Sequence, residues 1–571
     1  MIALVLAAQP GTQTPEALEA FQNGTNLLLE GKAKRAAKSF REAAKLDTGF
    51  TAAHRFLGVA EELQGNFQAA ASAYQQVLSQ DTSFSRLLYY QLGQVYYKMS
   101  RPKIALHYLR RFKELQSKDI GEFGRNGEEE AAEERKILDR LDQEMRAVEI
   151  TQDTLQFINV TKLYNLGRPV NTIRDDYFPF FSNDLKSMYY TRRGELKDED
   201  LIRARRRSPT DPFATDRVDN FNTLRPEGMV SLVRDGERIY YTVCNPGVTR
   251  GACDLYAGWL SNGKITRSEA LPDYVNSDVW ESQPSISCDG QELYFVSTRP
   301  GGLGGSDIYR CIKNADGTWG EPKNLGDGVN TPEHEEGPFL SNDGKALYFS
   351  SSGHLSLGDQ DIFVSYWDNV QGRFTQAINL GPPVNGPHRE LGFHLTSNGR
   401  TGYVASDRPG GVGELDIYSF ELSERLNGKP VTYVSGYVTD SLTGEPLTDQ
   451  PVPVGGAGKT YYTNYAGRFF ICAPANGTLP LTVTHPDYLP FARDFAIPPW
   501  ENLETYRIDL MLVKEQPPEL PPNLTAKSVA PPPPDTISRK TRIIKRPHIV
   551  RFNFDDASLL PIQIEGIEKF V

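Results

Sequence analysis

The sequence predicts a multidomain chain: an α-helical repeat solenoid, then a β-propeller, then a small β-sandwich, and last the start of an α+β domain. Three observations predict it. Glycine and alanine recur at spacings of 34 and 35 residues before residue 120, and Asp-Gly or Asn-Gly turns recur at 54 and 55 residues between 235 and 399. Beyond residue 430 neither period continues. A chain of 571 residues suits about four domains.

Residues 1–14 open on "MIALVLAAQPGTQT", an apolar run ending in Ala7 and Ala8 without a basic start. This reads as the remnant of a signal peptide, or as a frayed N-terminus. Residues 15–150 follow. Gly24, Gly58 and Gly93 are each trailed at 12 residues by Ala36, Ala70 and Ala105, then by Phe40, Tyr74 and Leu109. One helix ends at a glycine turn, and the next places alanine where helices cross closely and a larger residue where they need filling. This resembles three tetratricopeptide repeats. A further helix with Ile137, Leu138, Leu141, Met145 and Val148 on one stripe caps the stack, because a terminal repeat needs one polar face. Asn23, Leu27, His54, Glu61, Tyr89 and Tyr96 fall near first-helix positions and are the candidate partner groove.

Residues 151–428 hold the longer repeat. The turns Asp235-Gly236, Asp289-Gly290, Asp343-Gly344 and Asn398-Gly399 precede strands reading "RIYYTV", "ELYFVS", "ALYFSS" and "TGYVAS". "DLY", "DIY", "DIF" and "DIY" follow, starting at Asp254, Asp307, Asp361 and Asp416. Four short strands in each repeat of about 50 residues is a propeller pattern. "NLGRPVN" at 165 is a fourth strand with no blade before it, and the last blade stops after "DIYSFEL". Joined, the two ends close a ring of five blades, or of six if residues 193–223 hold a further sheet. The blades resemble Tol-type propeller repeats.

Residues 431–514 resemble a carboxypeptidase regulatory-like domain, through Gly436, Val438, Asp440, Gly444 and Pro446, then Gly467-Arg468-Phe469 and "LTVTHPDYLP". That likeness implies a transthyretin-type sandwich of seven strands. Residues 515–546 are a proline-rich linker. Residues 547–571 resemble the opening of an OmpA-like domain through "HIVRFNFDD", and the chain is expected to be cut within that domain. The order of the four modules resembles the PorE-like, OmpA-family periplasmic components of the Bacteroidetes type IX secretion system. That resemblance implies a scaffold between an outer-membrane secretion complex and peptidoglycan. The wall is expected to be bound by the part of the OmpA-like domain beyond Val571.

A net charge of −11 argues against a nucleic-acid partner, and no apolar run is long enough for a membrane helix. Cys244 and Cys253 bracket a loop and lie within disulfide reach if their strands form a hairpin, while Cys288, Cys311 and Cys472 have no obvious partners. Neither a G-x-S-x-G elbow nor an HExxH pair occurs, and His334 and His388 read as loop residues. No catalytic residue, cofactor or metal is therefore expected. One constellation stands out. Asp176, Glu227, Glu281, Glu335 and Glu390 each precede a turn Asp or Asn by eight residues, and would ring one face of the propeller beside Arg299 and Arg408. Either this is a polar pocket for a peptide, glycan or cation, or each acid caps a loop or pairs with a neighbouring arginine. The run Arg203, Arg205, Arg206, Arg207 is a solvated loop or an acidic partner's docking patch. Two functions follow: a non-enzymatic periplasmic adaptor, or a module sensing a glycan or peptide at the propeller channel.

Overall fold

The computed structural model describes residues 11–515 apart from 124–127, 153–161, 195–198, 219–220, 223–225, 245–248, 262–263, 315, 423–428, 456–458 and 500–504. The start of the apolar leader, the bulk of the linker and the OmpA-like opening lie outside the described residues.

Seven helices come first: α1 (Pro15–Leu29), α2 (Ala33–Leu46), α3 (Thr51–Glu62), α4 (Phe67–Gln80), α5 (Leu87–Lys98), α6 (Pro102–Leu115) and α7 (Glu128–Gln152). The first six pack as three consecutive pairs. The recurrent glycines allow each pair its close approach. A Cβ on Gly24 would sit 2.7 Å from the Phe40 ring and one on Gly93 2.6 Å from Leu109, and Gly58 stands in the same way against Tyr74. Phe40, Tyr74 and Leu109 are fully buried, each gaining about 1.5–3 kcal/mol from leaving water. The turns between paired helices need a positive φ, which Gly31, Gly65 and, less comfortably, Ser100 supply. Helix α7 lies on the last pair with Ile137, Leu141 and Val148 in the common core. Its acids reach the other way: Glu134 pairs with Arg86 at 2.6 Å, Glu130 with Arg55 at 2.7 Å, and Glu144 accepts from Tyr90 and Gln94.

Five antiparallel sheets follow. Strand β1 (Tyr164–Asn165) precedes the first sheet, formed by β2 (Asp176–Phe181), β3 (Ser187–Arg193), β4 (Glu199–Arg205) and β5 (Ala214–Arg217). The second holds β6 (Glu227–Leu232), β7 (Arg238–Val243), β8 (Asp254–Ser261) and β9 (Lys264–Ala270). The third holds β10 (Glu281–Ile286), β11 (Glu292–Ser297), β12 (Asp307–Ile312) and β13 (Lys323–Asn324). The fourth holds β14 (Glu335–Leu340), β15 (Ala346–Ser351) and β16 (Asp361–Asp368), edged by β17 (Arg373–Phe374) and β18 (Ile378–Asn379). The fifth holds β19 (Glu390–Leu395), β20 (Thr401–Ser406) and β21 (Asp416–Glu421), and its fourth strand is β1, with Asn165 opposite Tyr418. First strands meet around a cycle, β2 with β6, β6 with β10, β10 with β14, β14 with β19, and β19 with β2. The sheets form a closed ring, consistent with a Tol-type propeller. Residues 193–223 add no further sheet among those described. They supply β4 and β5, and the arginine run is largely absorbed there, Arg203 pairing with Asp216 at 2.7 Å and Arg206 lying 4.5 Å from the Phe213 ring.

Strands β22 (Val431–Asp440), β23 (Pro451–Val454), β24 (Lys459–Tyr462), β25 (Arg468–Pro474), β26 (Thr478–His485), β27 (Tyr488–Ala496), β28 (Tyr506–Arg507) and β29 (Leu510–Leu512) make two sheets over one core of Val434, Val438, Val452, Phe469, Leu481 and Leu510. This sandwich has eight strands among the described residues, against an expected seven, because the last stretch pairs in parallel with β22 in two pieces. It sits against the turn end of the ring. Lys459 meets Asp289 at 3.1 Å, Arg468 pairs with Glu237, and the Lys429 amide donates to Asp343. Cys288 and Cys472, expected to be without obvious partners, form a disulfide across this junction, with Cα atoms 6.2 Å apart. Cys244 and Cys253 form a second one, and Cys311 is free and buried. No helix among the described residues is long and apolar enough to cross a membrane.

Candidate functional site

Each of the five periodic acids is the first residue of an innermost strand, and all are buried. Four show their partners in full. Glu281 accepts from the Ser277 amide (2.7 Å) and hydroxyl (2.6 Å), from Ser297 (2.7 Å) and from Arg299 (3.3 Å). Glu390 accepts from the Gly386 amide (3.1 Å), Ser406 (2.7 Å) and Arg408 (3.0 Å). Asp176 accepts from Thr172 twice and from Arg192 at 2.6 Å, and Glu335 from Thr331 twice and from Ser351 at 2.7 Å. Glu227 is likewise engaged. Their oxygens hold the loops that enter the strands. Arg299 and Arg408 hold those loops from the other side, donating to the carbonyls of Tyr274 and Val275, and of Pro383 and Val384, and lying over Tyr309 and Tyr418.

Two further repeated groups do the same work. Asp254, Asp307, Asp361 and Asp416 each accept two loop amides, such as Leu357 (2.6 Å) and Gly358 (3.1 Å) on Asp361. The last asparagine of each "VN", at 171, 276, 330 and 385, clasps the backbone of a third strand, Asn330 at Ile308 and Asn171 at Ile417. Sequence reasoning noted these residues as period markers and missed what they bind.

The ring centre is filled. Phe178, Met229 and Gln283, two residues after their acids, adopt positive φ where the strand register shifts, and the Phe178 ring lies over Gly337 and Gly392. The cavity left between them is about 20 Å³, room for about one water molecule. At the turn end Arg234 is buried with its guanidinium 4.5 Å from the Phe180 ring, donating to the Phe181 carbonyl and Asn342. Burial holds the neighbouring His394 imidazole well below its usual pKa.

The large cavity lies elsewhere, between the helical stack and the loop end of the fourth and fifth sheets, at about 1510 Å³. Phe67, Lys98, Arg101 and Lys103 face it from the stack, and Pro382, Pro383, His388 and Arg408 from the ring. The His388 and Phe67 rings are 6.4 Å apart. Burial pushes the Tyr97 hydroxyl upward, helped by the Asp361 and Glu390 charges below it. Burial, reinforced by Glu390, likewise pushes the Asp361 carboxyl well above its ordinary range, and burial raises Glu390 against the pull of Arg408.

The six groove residues divide. Glu61 lines this cavity, although it is buried and held by Arg41 and Asn66. Leu27, Tyr89 and Tyr96 point into the stack, Tyr89 donating to Thr82 and Tyr96 stacking on Tyr108. Asn23 is exposed and bonds Ser39, and His54 is half-buried against Thr48. Tyr90, one residue after Tyr89, Gln94 on the same helix and Arg86 at its N-terminal cap are the ones α7 covers. Among the described residues no group of three or more His, Cys, Asp or Glu side chains is placed to hold a metal ion.

No family model matches the chain, and no curated protein matches it. Among solved structures it is similar to TolB from Acinetobacter baumannii (18% identity, TM-score 0.27, covering 44% of this chain and 55% of that one). It is similar to a putative TolB from Agrobacterium tumefaciens (14%, TM-score 0.29, covering 54% and 86%). It is also similar to the type III secretion chaperone SycD of Yersinia enterocolitica, solved with a peptide of the translocator YopD (15%, TM-score 0.21, covering 24% and 94%). The chain thus spans about half the length of the first TolB. At these scores the fold rests on the helix pairing and strand register described above.

Proposed function

We propose that this chain is a non-enzymatic scaffold of the periplasm, in which tetratricopeptide repeats and a five-bladed propeller bind envelope proteins and the C-terminal segment reaches the wall. One observation carries the reading. The polar residues repeated in every sheet are spent on holding loops, while a cavity of about 1510 Å³ opens where two modules meet. Two disulfides, one joining residues 184 apart, suit an oxidising compartment. The link to an outer-membrane secretion complex of type IX and to peptidoglycan rests on the module order and on the OmpA-like opening at 547–571. The 20 Å³ at the ring centre disfavours the sensing alternative in its channel form.

Photo-crosslinking in the native envelope tests the scaffold. A crosslinker at Ile104, on the cavity rim, should give discrete protein adducts, whereas one at the fully exposed Val370 should not. Equal labelling from both sites, or none from either, would count against it.

A further inference from the structure

The cavity between stack and ring is larger than the roughly 300–1,000 Å³ of small-molecule sites. Its charge is opposite to that of the molecule. Arg41, Lys98, Arg101, Lys103 and Arg408 line it against the single carboxylate of Glu61, in a chain whose net charge is −11. Most of these charges are spoken for: Arg41 is on Glu61, Lys98 is 4.0 Å from Glu62, and Arg408 is on Glu390. Arg101 and Lys103 are exposed and make no ion pair among the described residues. Between them and the ring, Phe67, Ile104, Pro382, Pro383, Pro387 and Pro409 give an apolar wall. Tyr97, also in the lining and only 7% exposed, has a hydroxyl with no hydrogen-bond partner among the described residues.

Resting on the scaffold reading, we propose that this cavity receives an extended acidic segment of a partner protein. Its carboxylates pair with Arg101 and Lys103, and its apolar side chains lie on Phe67 and the prolines. The combination of two unspent cations with an apolar wall favours carboxylates set beside hydrophobic residues. A polyphosphate chain, by contrast, has no apolar side chains to lie on Phe67 and the prolines and would leave that wall uncovered.

The test presents the full chain to a random-peptide array at low salt, beside an Arg101→Glu/Lys103→Glu variant. Both substitutions fall at the start of α6, where carboxylates suit the helix dipole, so folding is preserved. A milder Arg101→Gln/Lys103→Gln variant provides a second reading. Bound peptides should be enriched in Asp and Glu next to aromatic or aliphatic residues. Affinity should fall by on the order of tenfold or more in the Glu variant, and by less in the Gln variant. Neutral or basic peptides, an acidic preference unchanged in both variants, or no captured peptide would overturn the acidic cleft while leaving the scaffold to its crosslinking test. Single-stranded DNA binding as tightly as the acidic peptides and lost in the Glu variant would overturn the protein partner.

Discussion

Glu281 shows what a repeated residue is for. Its carboxylate receives a loop amide, two hydroxyls and Arg299, in a site closed to solvent. Removing one member of a buried pair leaves the other charge stranded, so Glu281→Ala should cost roughly 3 kcal/mol in denaturant unfolding. Glu335→Ala, which loses only Thr331 and Ser351, should cost less, about 1–3 kcal/mol. Were these acids instead a repelling ligand ring, both changes would stabilise. Asp289 makes a second case. Burial would raise its carboxyl, but Lys459, Ser287 and the Gln291 amide outweigh burial and hold it below the ordinary value. A depressed acid contributes stability that is present above its unfolded pKa of about 3.9 and is lost as pH falls through the folded value. The melting-temperature gap between the native chain and Asp289→Asn should therefore be full at pH 7 and close below pH of about 4. The acids were legible from their period alone. Phe178 was not singled out, although aligning the repeats places Phe, Met, Gln, Gly and Gly at one position, one large group over two absent side chains.

At the scale of elements, regular features were readable because each answers to a local rule. The Asp-Gly and Asn-Gly dipeptides supply the positive φ of a hairpin turn, and Gly236, Gly290, Gly344 and Gly399 all adopt it. Closure of the ring was readable by bookkeeping, since one orphan fourth strand and one incomplete sheet have a single way to be satisfied. The closure itself is small: two residues of β1, the Asn165 side chain on Asp416, the Leu166 amide on Ile417, and the Asn171 clasp. Asn171→Ala strands the Ile417 amide and takes one of two donors from its carbonyl, a loss of about 1–3 kcal/mol. Asn330→Ala breaks the same contact at Ile308, within the continuous part of the ring. Hydrogen exchange should separate the two. Asn171→Ala should expose amides of β21 and of the neighbouring β2, whereas Asn330→Ala should act only near β12. Equal and local effects would mean that closure does not depend on the clasp.

Across the whole molecule, relations between modules were the part the sequence concealed. The Cys288–Cys472 bridge joins a turn of the third sheet to β25, 184 residues later, and no local pattern announces it. The stack-to-ring cavity depends on how two rigid bodies rest on each other, which neither repeat encodes within its own period. The bridge closes a long loop, so Cys472→Ser should lower stability by about 2–5 kcal/mol. Thermal melting of the variant beside the native chain reads this loss, and a melting point indifferent to the substitution would deny the bridge its part in holding the sandwich to the ring.

The chain enters the ring at β1 and leaves it from β21, which are paired partners in one sheet. Once the Cys288–Cys472 bridge is reduced, tension between the helical stack and whatever lies beyond the sandwich is delivered along the chain to that single pair of strands. In that state no covalent link carries the load from the sandwich to the other four sheets. The pairing is antiparallel, with Tyr164 opposite Ser419 and Asn165 opposite Tyr418, so the incoming and outgoing chains stand at the same end of the pair. A pull on them peels the pair open one bond at a time, where a shear would load every bond at once. The seam is then a mechanical fuse: an overloaded chain would spring the ring at its clasp, and the remaining sheets would be ready to take the strand back.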